Sequence, residues 1–548
     1  MRKGTPKENR RFVRIFRGSL NETRFWLHRA YQRDLLTQHQ MEALTNILDE
    51  LAPSLNAYLT SIGRNKRQAP DNDTEAELKT KHQTPNTKHQ TMKITITNHL
   101  LLSDIPEDLK KVLLRNLKIL NPKWLENQRM GRWNKGTSEF LEFYRKTSGG
   151  LVIPRGYARQ LILLCRHYKV PHQIEDRRRI LPEADFRFTG QLKPFQEEAV
   201  RVMLSKEFGT LSAPAGSGKT VMALYLIAQR RQPALIVVHT KDLAFQWVDR
   251  IGTFLGIPED EVGFIGGGKR NIGERITVAL VQTLYKCADE VAEQTGYVIA
   301  DECHKAPSRT FTEAVTAFDS KYMLGLSATP YRRDKLSVLI FWHLGDIHHE
   351  IKNSVLIKDG HILRAEVTIR ETNFKPYYDP VREYSKMLSE LTEDEERNLL
   401  IASDVAKEAG SSEGVLLVLS DRKKHCETLQ TILKDKFDIS ADLLTGDLSN
   451  SQRRAVLDRL NQGAVKVLIA TGQLVGEGFD CKDLSTLFIA TPIRFSGRVL
   501  QYLGRVLRTA PGKKSARVFD YVDSKVGPLK SAGIARRGVY EYSRFSAS

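Results

Sequence analysis

No apolar run in this 548-residue sequence approaches the ~18–20 residues that a bilayer-crossing helix needs, which excludes a helical membrane protein. The start, Met1-Arg-Lys-Gly-Thr-Pro-Lys7, is basic but has no apolar stretch behind it, so no secretory signal is expected. Cysteine is scarce. Cys165, Cys287, Cys303, Cys426 and Cys481 are odd in number, scattered and free of CxxC spacing. That excludes a disulfide framework or a thiolate metal site and points to a reducing, cytoplasmic compartment. Acidic residues are also in deficit: Asp plus Glu number 65 against 84 Lys plus Arg, a net charge of +19. An excess of this sign suits a polyanionic partner, nucleic acid before any other.

The 41% hydrophobic content supports ordinary globular cores, and the length allows three or four domains. Residues 1–64 read as a helical segment, with Phe25, Leu27, Tyr31, Leu35, Met41, Leu44, Ile47 and Leu51 as its apolar positions. Residues 65–91 are polar, nearly devoid of large apolar side chains, and read as a disordered linker. Globular composition resumes over 92–185 as an accessory domain, opening on the alternating Met92-Lys-Ile-Thr-Ile-Thr97.

From 186 to 355 short continuous apolar runs recur: Ala234–Val238, Ile276–Val281, Tyr297–Ala300 and Tyr322–Leu326. After a connector at 356–409, the same rhythm returns over 410–530 in Val415–Leu419, Val465–Ala470, Thr486–Ala490 and Ala516–Tyr521, before a tail at 531–548. Such runs suit strands buried on both faces of a parallel sheet, so two tandem α/β domains are expected.

The strongest chemical signal is Leu211-Ser-Ala-Pro-Ala-Gly-Ser-Gly-Lys-Thr220, which follows a strand-like run and leads into the apolar helical pattern Val221–Ile227. This is the context of a P-loop, with Ala213 where a glycine is usual. Gly216, Ser217 and Gly218 let backbone N–H groups surround a phosphate at a helix N-terminus. Lys219 would reach the β- and γ-phosphates of ATP, and Thr220 would hold Mg²⁺. A second signal is Val298-Ile-Ala-Asp-Glu-Cys-His304, where an apolar strand delivers two carboxylates. Asp301 would coordinate Mg²⁺, and Glu302 would orient and deprotonate the attacking water.

With Asp-Glu-Cys-His after a P-loop, the chain resembles the superfamily 2 DExH-type helicases and translocases over roughly residues 186–525. The resemblance implies a fold of two tandem RecA-like P-loop domains with parallel sheets, and a nucleic-acid-dependent ATPase. Within Phe188–Gln196, the resemblance makes Gln196 the reader of adenine. Ser327-Ala-Thr-Pro330 matches the coupling motif, so His304, Ser327 and Thr329 would relay between nucleotide and nucleic acid. Val238–Trp247 and Val281–Leu284 resemble strand contacts, with Thr240, Lys241, Gln282 and Thr283 on phosphates.

In the second domain, Gln501-Tyr-Leu-Gly-Arg-Val-Leu-Arg508 matches the family's QxxGRxxR helix. Arg505 and Arg508 would act as arginine fingers across a cleft, and Gln501 would couple. Gly476–Asp480 resembles the adjoining motif, with Gly478 near the nucleotide and Asp480 on the ribose; Thr445 and Thr471 would meet nucleic acid.

Leu391–Asn398, the Trp247 neighbourhood and Gly149–Gly156 resemble the DNA-repair and restriction-associated branch. DNA is therefore expected as the partner over RNA, with 92–185 for duplex recognition. An RNA helicase, the motor of a restriction system and a nucleotide-switched scaffold are the alternatives. No acidic cluster followed by a strand lysine occurs in 92–185, so any cleavage would belong to a separate nuclease subunit. Ser19–His28 and Leu36–Met41 weakly resemble the last two helices of small bacterial four-helix-bundle proteins. Two such helices cannot bury their stripes alone, so self-association or a protein partner through 11–64 is expected.

Overall fold

The computed structural model describes residues 91–305, 309–328, 336–472, 474, 481, 483–493, 496–510, 512–513 and 515–544, with Gln40 and Leu44 besides. The chain divides into two compact units, 1–87 and 88–548. The expected helical segment and linker lie almost wholly outside the described residues, and the account below concerns the second unit.

Continuous apolar runs become buried parallel strands, because a residue on either face of such a sheet meets a covering helix. Ala234–Val238 (β9) and Tyr297–Ala300 (β13) are buried along their whole length. They join Phe208–Ser212 (β8), Gly263–Gly266 (β10), Lys269–Asn271 (β11), Ile276–Leu280 (β12), Tyr322–Ser327 (β14) and Ile347–Glu350 (β15) in one sheet. Its order is β11-β10-β12-β9-β13-β14-β8-β15, parallel throughout except for the β10–β11 edge pair. Parallel strands send their carboxyl ends to one edge, so the loops after β8, β9, β12, β13 and β14 all emerge together.

The second sheet is parallel throughout, with order β16-β21-β20-β17-β19-β18. Its strands are Ala365–Glu371 (β16), Val415–Ser420 (β17), Ala441–Leu444 (β18), Val467–Thr471 (β19), Leu484–Ile489 (β20) and Ala516–Val522 (β21). Two stretches read from sequence as connector and tail pack on this domain. β16 lies within 356–409 and pairs along its length with β21, and the helix Glu395–Ser411 buries Ile401, Ala402 and Val405 against the sheet. The helix Gly527–Arg544 buries Val539 and Tyr540. β16 is an edge strand whose residues alternate between half-buried and exposed, so it lacks the apolar continuity that marks the inner strands.

The accessory domain holds a five-stranded mixed sheet of order β5-β6-β2-β1-β7. Its strands are Met92–Ile96 (β1), His99–Ser103 (β2), Arg145–Thr147 (β5), Gly150–Pro154 (β6) and His172–Asp176 (β7). A separate ribbon pairs Lys118–Leu120 (β3) with Phe140–Glu142 (β4). The accessory core is not self-contained: Leu339 and Trp342, from the helix Ser337–Leu344 of the first α/β domain, complete it. Arg155 is buried and donates to the Ser320 carbonyl at 2.8 Å, and a Cβ on Gly156 would overlap the carbonyl oxygens of Phe341 and Trp342. Among the described residues no helix is long and apolar enough to cross a membrane.

This close approach makes Gly156→Ala an overpacking substitution, expected to destabilise by ~1–3 kcal/mol. Thermal unfolding with limited proteolysis checks it: the midpoint should fall, with early cleavage in the accessory domain. An unshifted midpoint would contradict the packing described.

Candidate nucleotide site between the two α/β domains

The loop after β8 turns through Gly216 (φ 87°) and Gly218 (φ 80°), both in the left-handed region that side chains disfavour, before the helix Lys219–Arg230 begins. Ala213 stays tied to the sheet, its N–H donating to the Ser327 carbonyl at 2.9 Å. Lys219 Nζ lies over the same loop, donating to the carbonyls of Ala213 (3.1 Å) and Pro214 (3.4 Å). An incoming phosphate can therefore take this ammonium from weak neutral acceptors.

Gln196 is buried beneath the loop. Its Oε1 accepts from the Lys193 N–H at 2.9 Å, and its Nε2 donates to the Ser217 carbonyl at 2.8 Å. A Cβ on Gly218 would overlap that Nε2. In this structure Gln196 braces the phosphate loop, which leaves its amide one further N–H and one further lone pair.

Strand β13 delivers Asp301 buried and Glu302 half-buried, with Glu302 at φ 47°, a conformation that non-glycine residues keep only where the surroundings impose it. Asp301 accepts from the Trp247 indole N–H at Oδ2 (2.8 Å) and from the Glu302 N–H at Oδ1 (2.8 Å). Burial and the neighbouring Glu302 charge push the Asp301 carboxyl up to about 6, against the opposing pull of Lys219 and the indole. His304 Nδ1 lies 3.1 Å from Ser327 Oγ and 3.2 Å from Glu302 Oε2, so Glu302, His304 and the end of β14 form one contiguous chain. Thr329 lies outside the described residues.

From the second domain, the helix Ser496–Val506 approaches the phosphate loop so closely that a Cβ on Gly504 would overlap that of Ala215. The helix is held in place on several sides. Tyr502 Oη donates to the Gly472 carbonyl at 2.6 Å, the Leu363 N–H to the Leu507 carbonyl at 2.7 Å, and Lys513 Nζ to the Arg508 carbonyl at 2.8 Å. A cleft of about 620 Å³ results, lined from one domain by Lys219, Thr220, Asp301 and Glu302 and from the other by Gln501, Arg505 and Arg508. Gly478 and Asp480 lie outside the described residues.

The carboxylate of Asp301 and the hydroxyl of Thr220 are hard oxygen donors, the type Mg²⁺ takes beside substrate phosphates. Among the described residues no cluster of three or more His, Cys, Asp or Glu forms a self-sufficient metal cage. A metal held jointly with nucleotide fits that donor set.

Thr240 caps the helix Lys241–Leu255, its Oγ1 accepting from the Leu243 N–H at 3.4 Å, while Gln282 Nε2 donates to the His239 carbonyl at 2.9 Å. Thr240, Lys241, Gln282 and Thr283 follow the paired strands β9 and β12. Thr445 follows β18 and Thr471 ends β19, two paired strands. Arg453 of the second domain donates to Asp242 of the first at 2.7 Å, an interdomain bridge that nothing in the sequence announces.

Sequence reading also missed the role of Trp247, which marked only a branch resemblance; helical spacing cannot show that an indole six residues beyond Lys241 reaches Asp301. Trp247→Phe removes this donor while keeping a buried ring. The Mg²⁺ concentration needed for half-maximal ATP hydrolysis should rise ~10–100-fold, the usual effect of losing a partner of a metal-ligating group. A Mg²⁺ titration of turnover checks this, and an unchanged requirement would show that the bond does not orient Asp301.

Comparison with known proteins places these features in a family. The sequence model for "Type III restriction enzyme, res subunit" matches residues 189–332, and that for "Helicase conserved C-terminal domain" matches residues 397–510. A protein of Acanthamoeba polyphaga mimivirus, named provisionally as an ATP-dependent RNA helicase, is 26% identical over 383 residues, covering 67% of this chain and 70% of that one. The DNA 3′–5′ translocase XPB2 of Sulfurisphaera tokodaii is 27% identical over 380 residues, covering 63% and 85%. The ATP-dependent DNA helicase uvsW of Enterobacteria phage T4 is 24% identical over 453 residues, covering 77% and 87%. The crystal structure of T4 UvsW aligns with a TM-score of 0.39 at 18% identity, covering 83% of this chain and 98% of that one. With both helicase domains matched in order and their motifs facing one interdomain cleft, the chain is a superfamily 2 ATP-dependent nucleic-acid helicase, related to the DNA-repair and restriction-associated branches.

Proposed function

We propose that the chain is a DNA-directed helicase or translocase that couples ATP hydrolysis to domain closure, working in DNA repair, recombination or phage defence. The observation that carries the reading is the division of the site, with acidic and phosphate-binding residues on one domain and Arg505 and Arg508 on the other. Lys219 and the N–H groups around Gly216, Ser217 and Gly218 hold the phosphates. Mg²⁺, held by Thr220 and Asp301, supplies neutralisation of the phosphate charge. Glu302 orients the attacking water and takes its proton. Arg505 and Arg508 stabilise charge on the transferring phosphoryl group only when the domains meet, so hydrolysis and closure become one event.

The contacts from Glu302 through His304 to Ser327 support a coupling role for these residues, with Gln501 as their counterpart on the second domain. Thr240, Lys241, Gln282 and Thr283 on one domain and Thr445 and Thr471 on the other are the proposed strand contacts. The domain at 92–185 would recognise DNA. The names of the XPB2 and uvsW relatives support DNA, and the mimivirus relative supports RNA as the competing polymer. The match to a restriction-enzyme res subunit favours a second reading, a motor that works with a separate nuclease. The five cysteines, all buried and none in a disulfide, support a cytoplasmic setting.

ATP turnover measured without nucleic acid and with single-stranded DNA, duplex DNA or RNA tests the reading: stimulation should be strongest with DNA. Stimulation by none of the three would overturn the motor, and by RNA alone the choice of polymer. Glu302→Gln should retain ATP binding and lose ~10²–10⁴-fold in turnover, the usual range for removing a positioned proton acceptor.

A further inference from the structure

The ribbon formed by β3 and β4 is joined by the helix Pro122–Arg129 and a loop over 130–139, and this excursion carries features that neither the fold nor the nucleotide site uses. Its backbone is firmly built. Asn121 Nδ2 donates to the Ser138 carbonyl at 2.9 Å, and Asn121 Oδ1 caps the helix by accepting from the Lys123 N–H at 3.0 Å. Asn134 pins the loop from its middle, accepting from Asn127 Nδ2 at 3.0 Å and donating to the Trp124 carbonyl at 3.2 Å. Gly131 (φ 63°) and Gly136 (φ 79°) supply left-handed turns on either side.

This ordered loop holds Trp133 out in solvent, 82% exposed. A tryptophan ordinarily buries 150–250 Å² of surface, so a shaped loop that presents one outward forgoes a large hydrophobic gain. On the same excursion Met130, Leu120 and Phe140 are exposed as well. Cations interleave with the rings: Lys135 Nζ lies 5.2 Å from the Trp133 ring centre, and Lys118 Nζ lies 4.7 Å from that of Phe140. From 118 to 147 seven Lys and Arg face three Glu, and Glu142 is already bridged to Lys118 at 3.0 Å.

An apolar protein partner would match the rings but not this charge. A nucleic acid matches both, because phosphates meet the cations while a base face covers the indole. A fully paired duplex hides its base faces within the stack, so the indole needs an unpaired base.

We infer that Trp133 is a stacking platform for an unpaired DNA base, with Arg132 and Lys135 on the adjoining phosphates. The inference rests on the DNA-motor reading above and specifies what the accessory domain grips: a single strand or the fork where strands part.

The test uses the full chain and three labelled probes: a single strand, a forked duplex and a blunt fully paired duplex. Trp133→Ala should weaken binding to the single strand and the fork about 5- to 140-fold, which is stacking worth ~1–3 kcal/mol per base at 1.4 kcal/mol per tenfold. Blunt-duplex affinity and ATP turnover without DNA should stay the same, and Trp133→Phe should recover most of the loss. Arg132→Gln with Lys135→Gln should weaken all three probes and flatten their salt dependence.

Equal weakening of all three probes by Trp133→Ala would overturn the stacking role, as would full retention on the fork. Loss of self-association with unchanged DNA binding would assign the patch to a protein partner instead. If wild-type turnover responds to no nucleic acid, the parent reading fails; if it responds while Trp133→Ala binds the fork like wild type, only the platform fails.

Discussion

The nucleotide cleft depends on one backbone approach, that of Gly504 to Ala215. At this point the helix carrying Arg505 presses on the loop that carries Lys219, leaving no room for a side chain at 504. An arginine can couple hydrolysis to domain closure only if it stands within reach of phosphate in one domain arrangement and out of reach in another. Removing the Cβ brings the helix in by roughly the thickness of a methyl group, and the bonds at Gly472, Leu507 and Arg508 fix its direction once there. The cleft is therefore a product of contact between domains.

Buried charge supports that frame. In the second domain Arg397 and Asp523 pair at 2.9 Å with almost no exposure, and Thr372 Oγ1 donates to the same carboxylate at 2.6 Å. Arg536 and Tyr540 bind Asp520 from the terminal helix, at 2.8 and 2.9 Å. His425, between Asn398 and Ser420, is held neutral, its pKa pushed down to about 3 by burial and by Arg397. Such pairs add little net stability over apolar packing, but breaking one leaves an uncompensated charge. They fix where the helices Glu395–Ser411 and Gly527–Arg544 seat on the sheet against which the arginine helix packs.

Legibility in the sequence followed burial. Ala234–Val238 and Tyr297–Ala300 were readable to the residue because both strand faces are covered, so every position is apolar. β16 escaped because an edge strand has one face open to solvent, and its alternation resembles that of many loops. Catalytic candidates were readable where chemistry demands a fixed spacing, as from Gly216 to Thr220 or Asp301 to His304. Trp247 and the Arg453–Asp242 bridge were not, since their partners lie 54 and 211 residues away and no local pattern encodes such a pairing.

The sequence alone determined the polarity of the partner, the phosphate loop, the acidic pair and the arginine helix, because each is a local requirement of charge, backbone freedom or periodicity. Tertiary structure alone decided that Gln196, expected to read adenine, braces the phosphate loop, that Asp301 is held by an indole, and that the accessory core is completed by Leu339 and Trp342. It also set Trp133 in solvent. These outcomes depend on distance in space, which residue order records only where the chain returns to itself through a repeated pattern.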